Sequence, residues 1–273
     1  MEIEHLLVVL QSHSKYNALE PCKEELRYPG VPKIEVSKRC ILSLINSLNY
    51  AKFKNPNLEI HLQVFDDNSS TEFLKVLEQI LKLSQFSVSF TQLGGVGIMK
   101  SILTCYEYGK EHGKSHVYFV QDDFLHHETA VHLMYENYKD FSGKIGKDIT
   151  LTGNHDTRYL MHVDNIAAGC KIVPGKDQCW RTTHASQFTT MMTVRLLRDN
   201  WDLFEKMGNL PYNIKCCEDE SINHLYFYRG YVEFCPITSL VLQIQWDIHK
   251  DFYLTWEDWW KKYELSNFKI ISN

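Results

Sequence analysis

Two pairs of adjacent carboxylates stand out in a chain whose net charge is only -5. The first lies in Asp66-Asp67-Asn68-Ser69-Ser70, directly after an apolar run. Carboxylates there can accept hydrogen bonds from a base imide or a ribose hydroxyl. They can equally cap the N-terminus of a following helix, where the helix dipole favours negative charge. The second lies in Gln121-Asp122-Asp123, again after an apolar run. Two neighbouring carboxylates repel each other unless solvated or neutralised, and a divalent cation neutralises them while bridging to phosphates. Glu218-Asp219-Glu220 offers a general base, or three acids opening a helix. His249, in Trp246-Asp247-Ile248-His249, has an imidazole able to complete a metal shell, or to serve the core. Gly94-Gly95-Val96-Gly97 leads into a helix, and its backbone N–H groups are placed to face an anion. The run is not the G-x-G-x-x-G of dinucleotide binding. Lys100, one turn further on, is within reach of a diphosphate or lies solvated on the surface.

These residues need elements to hold them. Leu6–Leu10 is a continuous apolar run that suits a strand buried on both faces, and it ends at the polar Gln11-Ser12-His13-Ser14. Residues 15–33 contain three prolines and read as an irregular connection. Ile41, Leu42, Leu44, Ile45 and Leu48 recur at helical spacing. A strand at 60–65, a helix at 73–81, a strand at 86–90, a helix near 98–112 and a strand at 117–120 follow in alternation. That alternation predicts a mostly parallel sheet with helices on both faces, whose ligands sit beyond the carboxyl ends of the strands. Three polar clusters fall at those ends: 11–14, 66–70 and 121–123.

The second half is less regular. Strands are expected at 149–152, 188–194 and 231–235, helices at 195–207 and 218–229, and a long loop over 153–184. Thr255 is a candidate cap for a last helix carrying Trp256, Trp259 and Trp260, which with Trp246 are expected to dock on the core, the other openings being stacking on a flat ligand or contact with a membrane surface. His126-His127 read as exposed residues at a helix start, with extra metal ligation as the other possibility. One domain spans 1–273, with a nucleotide-binding half (about 1–125) and an acceptor-binding half (about 126–273).

Composition sets limits. The chain has 273 residues, 44% apolar and 23% charged, which excludes disordered and collagen-like classes. The acidic balance argues against a broad nucleic-acid footprint. No run approaches a membrane span or a signal peptide, so a soluble, cytoplasmic protein is expected. Eight cysteines include no C-x-x-C pair, which argues against structural zinc. A Cys170–Cys179 bridge is conceivable, but free thiols are expected.

The order of the motifs resembles the GT-A glycosyltransferases, most closely glycosyltransferase family 2. Ser43-Leu44-Ile45-Asn46-Ser47-Leu48 loosely fits that family's Ser-Leu-x-x-Leu helix. Asp66, Asp67 and Ser69 match its nucleotide-contacting loop, and Gln121-Asp122-Asp123 stands in its Asp-x-Asp place. Cys217-Glu218-Asp219 matches its x-Glu-Asp, and His249 the late metal histidine. The resemblance spans about residues 4–250. It implies a transferase that moves sugar from a UDP- or GDP-linked donor to a glycan or other hydroxyl acceptor. Asp219 would be the base with Glu218 beside it, and Asp123 and His249 would hold Mn²⁺ or Mg²⁺. Gln11, Ser12, His13, Asp66, Asp67, Ser69, Gly97, Lys100 and Asp122 would line the donor, and the anomeric centre would invert. Gln121 departs from the first acid of the motif and Cys217 from its usual glycine. No Gln-x-x-Arg-Trp motif is present, which argues against a processive polysaccharide synthase.

Other classes compete. Gly153-Asn154-His155-Asp156 looks like one box of the metallophosphoesterases, but the companion motifs are missing. A noncatalytic sugar-nucleotide or glycan-binding protein on the same fold is kept open by Gln121. A nucleotidyltransferase would want a basic Gly-rich loop near the first strand, which Gln11-Ser12-His13-Ser14-Lys15 matches poorly.

Overall fold

A computed structural model describes residues 3–14, 32–154, 169–184, 188–211, 217–244 and 256–267. Strand β1 (Glu4–Ser12) is the centre of the first half. Its apolar residues Leu6, Val8 and Leu10 pack on one face of the sheet and Leu7 and Val9 on the other, so the unbroken run is buried on both sides. It pairs in parallel with β2 (Leu58–Asp66) and β4 (His116–Gln121), and β2 pairs in parallel with β3 (Ser87–Gln92). Helices α1 (Lys33–Lys54), α2 (Thr71–Leu81) and α3 (Ile98–His112) make the crossovers. α1 and α2 pack on the face of Val8 and Leu62, and α3 on the opposite face.

Beyond β4 the chain forms β5 (Phe124–His126), α4 (Ala130–Ile145), β6 (Thr150–Leu151), β7 (Ile172–Pro174), β8 (Cys179–Thr183) and β9 (Met191–Thr193). α5 (Val194–Asp199), α6 (Trp201–Asn209), α7 (His224–Phe227), β10 (Glu233–Pro236), β11 (Val241–Gln243) and α8 (Trp256–Lys262) follow. One nine-stranded sheet runs through both halves in the order β3-β2-β1-β4-β9-β6-β10-β8-β7. Its β3-to-β4 part is parallel, while β9 is antiparallel to both neighbours. This is the mixed α/β architecture the alternation predicts.

Several boundaries differ from the sequence reading. α1 starts at Lys33, right after Pro32, because proline is tolerated just ahead of a helix but not inside one. The expected long loop contains β7 and β8, strands of three and five residues too short to show a strand period in sequence. The expected helix over 195–207 is broken at Asn200, whose side chain donates to the Leu196 carbonyl at 2.8 Å. Glu218 and Asp219 open a series of turns rather than a helix, and only His224–Phe227 is helical there.

Cys170 and Cys179 are both free thiols. Trp256 and Trp260 are buried in the core, and the Arg39 guanidinium lies 4.4 Å from the Trp260 ring centroid. The last helix is therefore docked. Among the described residues no helix is long and apolar enough to cross a membrane.

Candidate active site at the carboxyl edge of the parallel strands

Register brings the three polar clusters to one level. Ser12 is the β-partner of Asp66, Gln11 that of Gln121, and Asp66 that of Gln92. Backbone bonds continue the alignment past the strand ends. The Asp67 N–H donates to the Ser12 carbonyl at 2.9 Å, and the Asp122 N–H to the Gln11 carbonyl at 3.1 Å.

The Asp66–Ser70 segment organises its own loop. Asp66 Oδ2 accepts from the Ser69 N–H at 3.0 Å, while Oδ1 is buried without a partner. Burial raises the Asp66 carboxyl above its ordinary pKa; Ser69 opposes this, and Asp122 adds to it. Asn68 adopts a left-handed φ of 71°, which asparagine tolerates better than most residues. Ser69 Oγ accepts from the Ser14 N–H at 2.9 Å, and Ser70 Oγ caps α2 by accepting from the Phe73 N–H at 3.2 Å. Capping and ligand-loop readings thus coexist in one motif.

Asp67 does something the sequence did not disclose. Its Oδ1 accepts from the N–H groups of Gly95 and Val96 at 2.8 and 2.7 Å, and its Oδ2 from Gly97 at 2.8 Å. The glycine-rich turn does cradle an anion, but the anion is Asp67 itself. Gly94, Gly95 and Gly97 have φ of 78°, 88° and 89°, which explains glycine at all three positions. The expectation that Gly97 offers its N–H to a diphosphate is corrected accordingly. Lys100 is exposed on the first turn of α3.

At the end of β4 the two acids have different fates. Asp122 is buried and accepts from Lys33 Nζ at 2.6 Å, Ser37 Oγ at 2.8 Å and the His13 N–H at 2.9 Å, with Ser12 Oγ at 3.4 Å. Lys33 and Ser37 are one turn apart on α1, so a single helix face supplies both donors. Burial alone would lower the Lys33 ammonium, but Asp122 and Asp123 outweigh it and leave its pKa raised.

Asp123 is equally buried but poorly satisfied. Oδ2 accepts from Gln243 Nε2 at 3.3 Å, and Oδ1 has no partner. Burial raises its carboxyl, with Asp122 adding to the rise and Lys33 opposing it. β11 ends against this residue, the Ile244 N–H donating to the Asp123 carbonyl at 2.8 Å. His249 lies a few positions beyond β11, outside the described residues, as do His155, Asp156, Trp246 and Thr255. Among the described residues no group of three or more His, Cys, Asp or Glu side chains is placed to hold a metal. Gln121 donates from Nε2 to Gln11 Oε1 at 2.9 Å, and Gln11 Nε2 donates to the Ile98 carbonyl at 3.2 Å. The unusual glutamine therefore ties β4 through β1 to the start of α3.

Glu218 and Asp219 sit in the turn whose neighbours Cys217 and Ile222 pack beneath α3 and β4. Burial raises the Glu218 carboxyl, with a further push from Asp219. Glu218 is near enough to Tyr106 to add to the upward shift that burial imposes on that hydroxyl. Asp219 is exposed and accepts from Asn223 Nδ2 at 2.6 Å.

His126 is not the exposed helix-start residue expected. It is fully buried, with Nδ1 2.9 Å from the Phe124 carbonyl and Nε2 2.9 Å from the Tyr118 hydroxyl. The carbonyl can only accept, so Nδ1 carries the proton and Nε2 accepts from Tyr118. Gly153 is explained by packing: a Cβ there would meet Val241 Cγ2 at 2.5 Å and Met134 Sδ at 2.8 Å. The residues missed from sequence are Lys33, Ser37, Gln243 and Asn223. Gln243 carried a signal, as the one polar residue in the run Leu240–Ile244.

No family model and no curated protein matches the chain. Among solved structures it is similar to S. aureus TarS, with TM-score 0.48 and 14% identity over 85% of this chain and 36% of that one. A structure of TarS 1-349 in complex with UDP gives TM-score 0.48 and 15% identity over 88% of this chain and 58% of that one. A UTP-bound UGPase from Acinetobacter baumannii gives 0.46 and 9% over 98% and 96%. The chain thus spans less than two thirds of the TarS chains it matches. Every one of these scores is below 0.5, so the site residues are assigned from their own geometry.

Proposed function

We propose that the chain is a glycosyltransferase that moves a sugar from a nucleotide-diphosphate donor to an acceptor hydroxyl. The observation that carries this is the buried, unpartnered Asp123 Oδ1, set at the carboxyl edge of a parallel sheet next to Asp122, which itself accepts from Ser12 and His13. A buried carboxylate oxygen without a donor is costly unless a cation or ligand satisfies it. Asp123 fits a divalent cation, and Asp122, already saturated by Lys33 and Ser37, does not need one. Asp123, with His249 as its second candidate ligand, would hold Mn²⁺ or Mg²⁺, which would supply charge stabilisation for a departing diphosphate.

The chain's own residues take the remaining roles. Asp66 Oδ1 is an acceptor for a nucleoside N–H or O–H. Asp219, oriented by Asn223, takes the proton from the acceptor hydroxyl. The acceptor oxygen bonds to the sugar C1 as the bond from C1 to the diphosphate oxygen breaks, and the nucleoside diphosphate leaves. A single displacement of this kind inverts C1.

The test is calorimetric titration of UDP- and GDP-linked sugars, with and without Mn²⁺, on wild type and Asp123→Ala. Metal-dependent binding of one donor by wild type, lost in the variant, is expected. Turnover with an acceptor should then fall at least about a hundredfold in Asp219→Asn. Failure of every donor to bind refutes the proposal. Release of pyrophosphate from UTP and a sugar phosphate would identify a nucleotidyltransferase instead.

A further inference from the structure

We infer that Lys33 is a built-in counter-ion that removes Asp122 from metal binding and leaves Asp123 as the one acid of the pair with an oxygen left for a cation. This deepens the proposed function, on which it rests for the identity of the cation. Three observations carry it. Lys33 Nζ lies 2.6 Å from Asp122 Oδ1, and its side chain is 15% exposed against 6% for Asp122. Asp122 Oδ2 is taken by Ser37 Oγ at 2.8 Å and by the His13 N–H at 2.9 Å, so both oxygens are engaged. The adjacent Asp123 keeps a buried oxygen with no partner among the described residues. Two adjacent carboxylates with one ammonium carry a net charge of -1, not -2.

The consequence concerns affinity. Deleting the ammonium frees Asp122 Oδ1 and doubles the negative charge facing a cation. Even at the dielectric of water, one extra unit charge about 6 Å from a divalent ion is worth roughly tenfold in affinity. A purely structural lysine would have no such effect; its loss would weaken every function of the site together. Lys33 is therefore a positioning residue that sets how many carboxylates the metal sees.

The experiment measures Mn²⁺ binding without nucleotide, from the paramagnetic resonance signal of the free ion. Wild type, Lys33→Met, Lys33→Gln, Lys33→Arg and the double variant Lys33→Met/Asp122→Asn are compared, with circular dichroism to report folding. Lys33→Met and Lys33→Gln should bind Mn²⁺ about tenfold tighter than wild type. Lys33→Arg and the double variant should return to the wild-type affinity. A Lys33→Met chain that fails to fold while the double variant folds also supports the counter-ion role, because only the unpaired carboxylate distinguishes them. Unchanged or weaker Mn²⁺ binding by folded Lys33→Met and Lys33→Gln overturns the inference. A parallel titration of wild type with sugar nucleotides separates the two claims. Donor binding without the Mn²⁺ shift sinks only the role of Lys33. The Mn²⁺ shift without donor binding sinks the transferase reading.

Discussion

Asp67→Asn changes one atom of a side chain that holds three backbone N–H groups, at 2.8, 2.7 and 2.8 Å. The carboxamide has a single acceptor oxygen. It can keep Gly95 and Val96, which share Oδ1, but then presents NH₂ to the Gly97 N–H. One charge-assisted bond becomes a donor facing a donor, and the two others lose their charge assistance. Asp67 is buried, whereas the turn it holds is exposed, so water partly compensates. The net cost comes to about 2 kcal/mol. Read locally, that is roughly 30-fold faster hydrogen exchange at the amides of residues 95–97. Exchange in β1 and β4 should change far less, because Asp67 lies outside the strands. Asp67→Ala should exceed Asp67→Asn, since all three N–H groups then lose their acceptor. Equal exchange at 95–97 in wild type and Asp67→Asn would refute the assignment of Asp67 as the anchor of the turn.

Two further outcomes follow from buried titratable groups. Asp123→Asn should raise the thermal midpoint of the ligand-free protein by about 2–4 °C while abolishing donor binding, because a carboxyl pushed up by burial costs stability in its charged form; a lowered midpoint in a scanning-calorimetry comparison would count against the strain at Asp123. Burial holds His126 down at about 4, against 6.5 for the unfolded chain. Its neutral form imposes no penalty above pH 6.5, and stability is lost as pH falls from 6.5 towards 4, where only the unfolded state binds the proton. Between pH 7 and 5 this one group removes about 2 kcal/mol. Urea denaturation at both pH values should show a correspondingly smaller pH effect in His126→Gln, and an identical pH effect in the two proteins would exclude the buried neutral imidazole.

The sequence by itself determined the parallel half of the sheet. Continuous apolar runs at 6–10 and 60–65 and alternating helices leave few other ways to bury both faces, and strand ends mark where ligands gather. It therefore placed Ser12, Asp66, Asp67, Asp122 and Asp123 on one edge before any coordinates. Short strands such as β7 and β8 were not legible, because three and five residues are too few to display a strand period and β7 ends in proline. The turn at 217–223 was read as a helix because acids at a helix start and acids in a turn look the same in one dimension.

Tertiary structure alone decided what each acid does. Asp66 and Asp67 are adjacent and chemically identical, yet one oxygen of Asp66 is left unpartnered while Asp67 spends both on the glycine turn. Asp122 and Asp123 divide in the same way, because α1 brings Lys33 and Ser37 to the first and β11 brings only Gln243 to the second. Sequence records which groups can bond; the packing of distant elements determines which oxygens are left to meet a ligand.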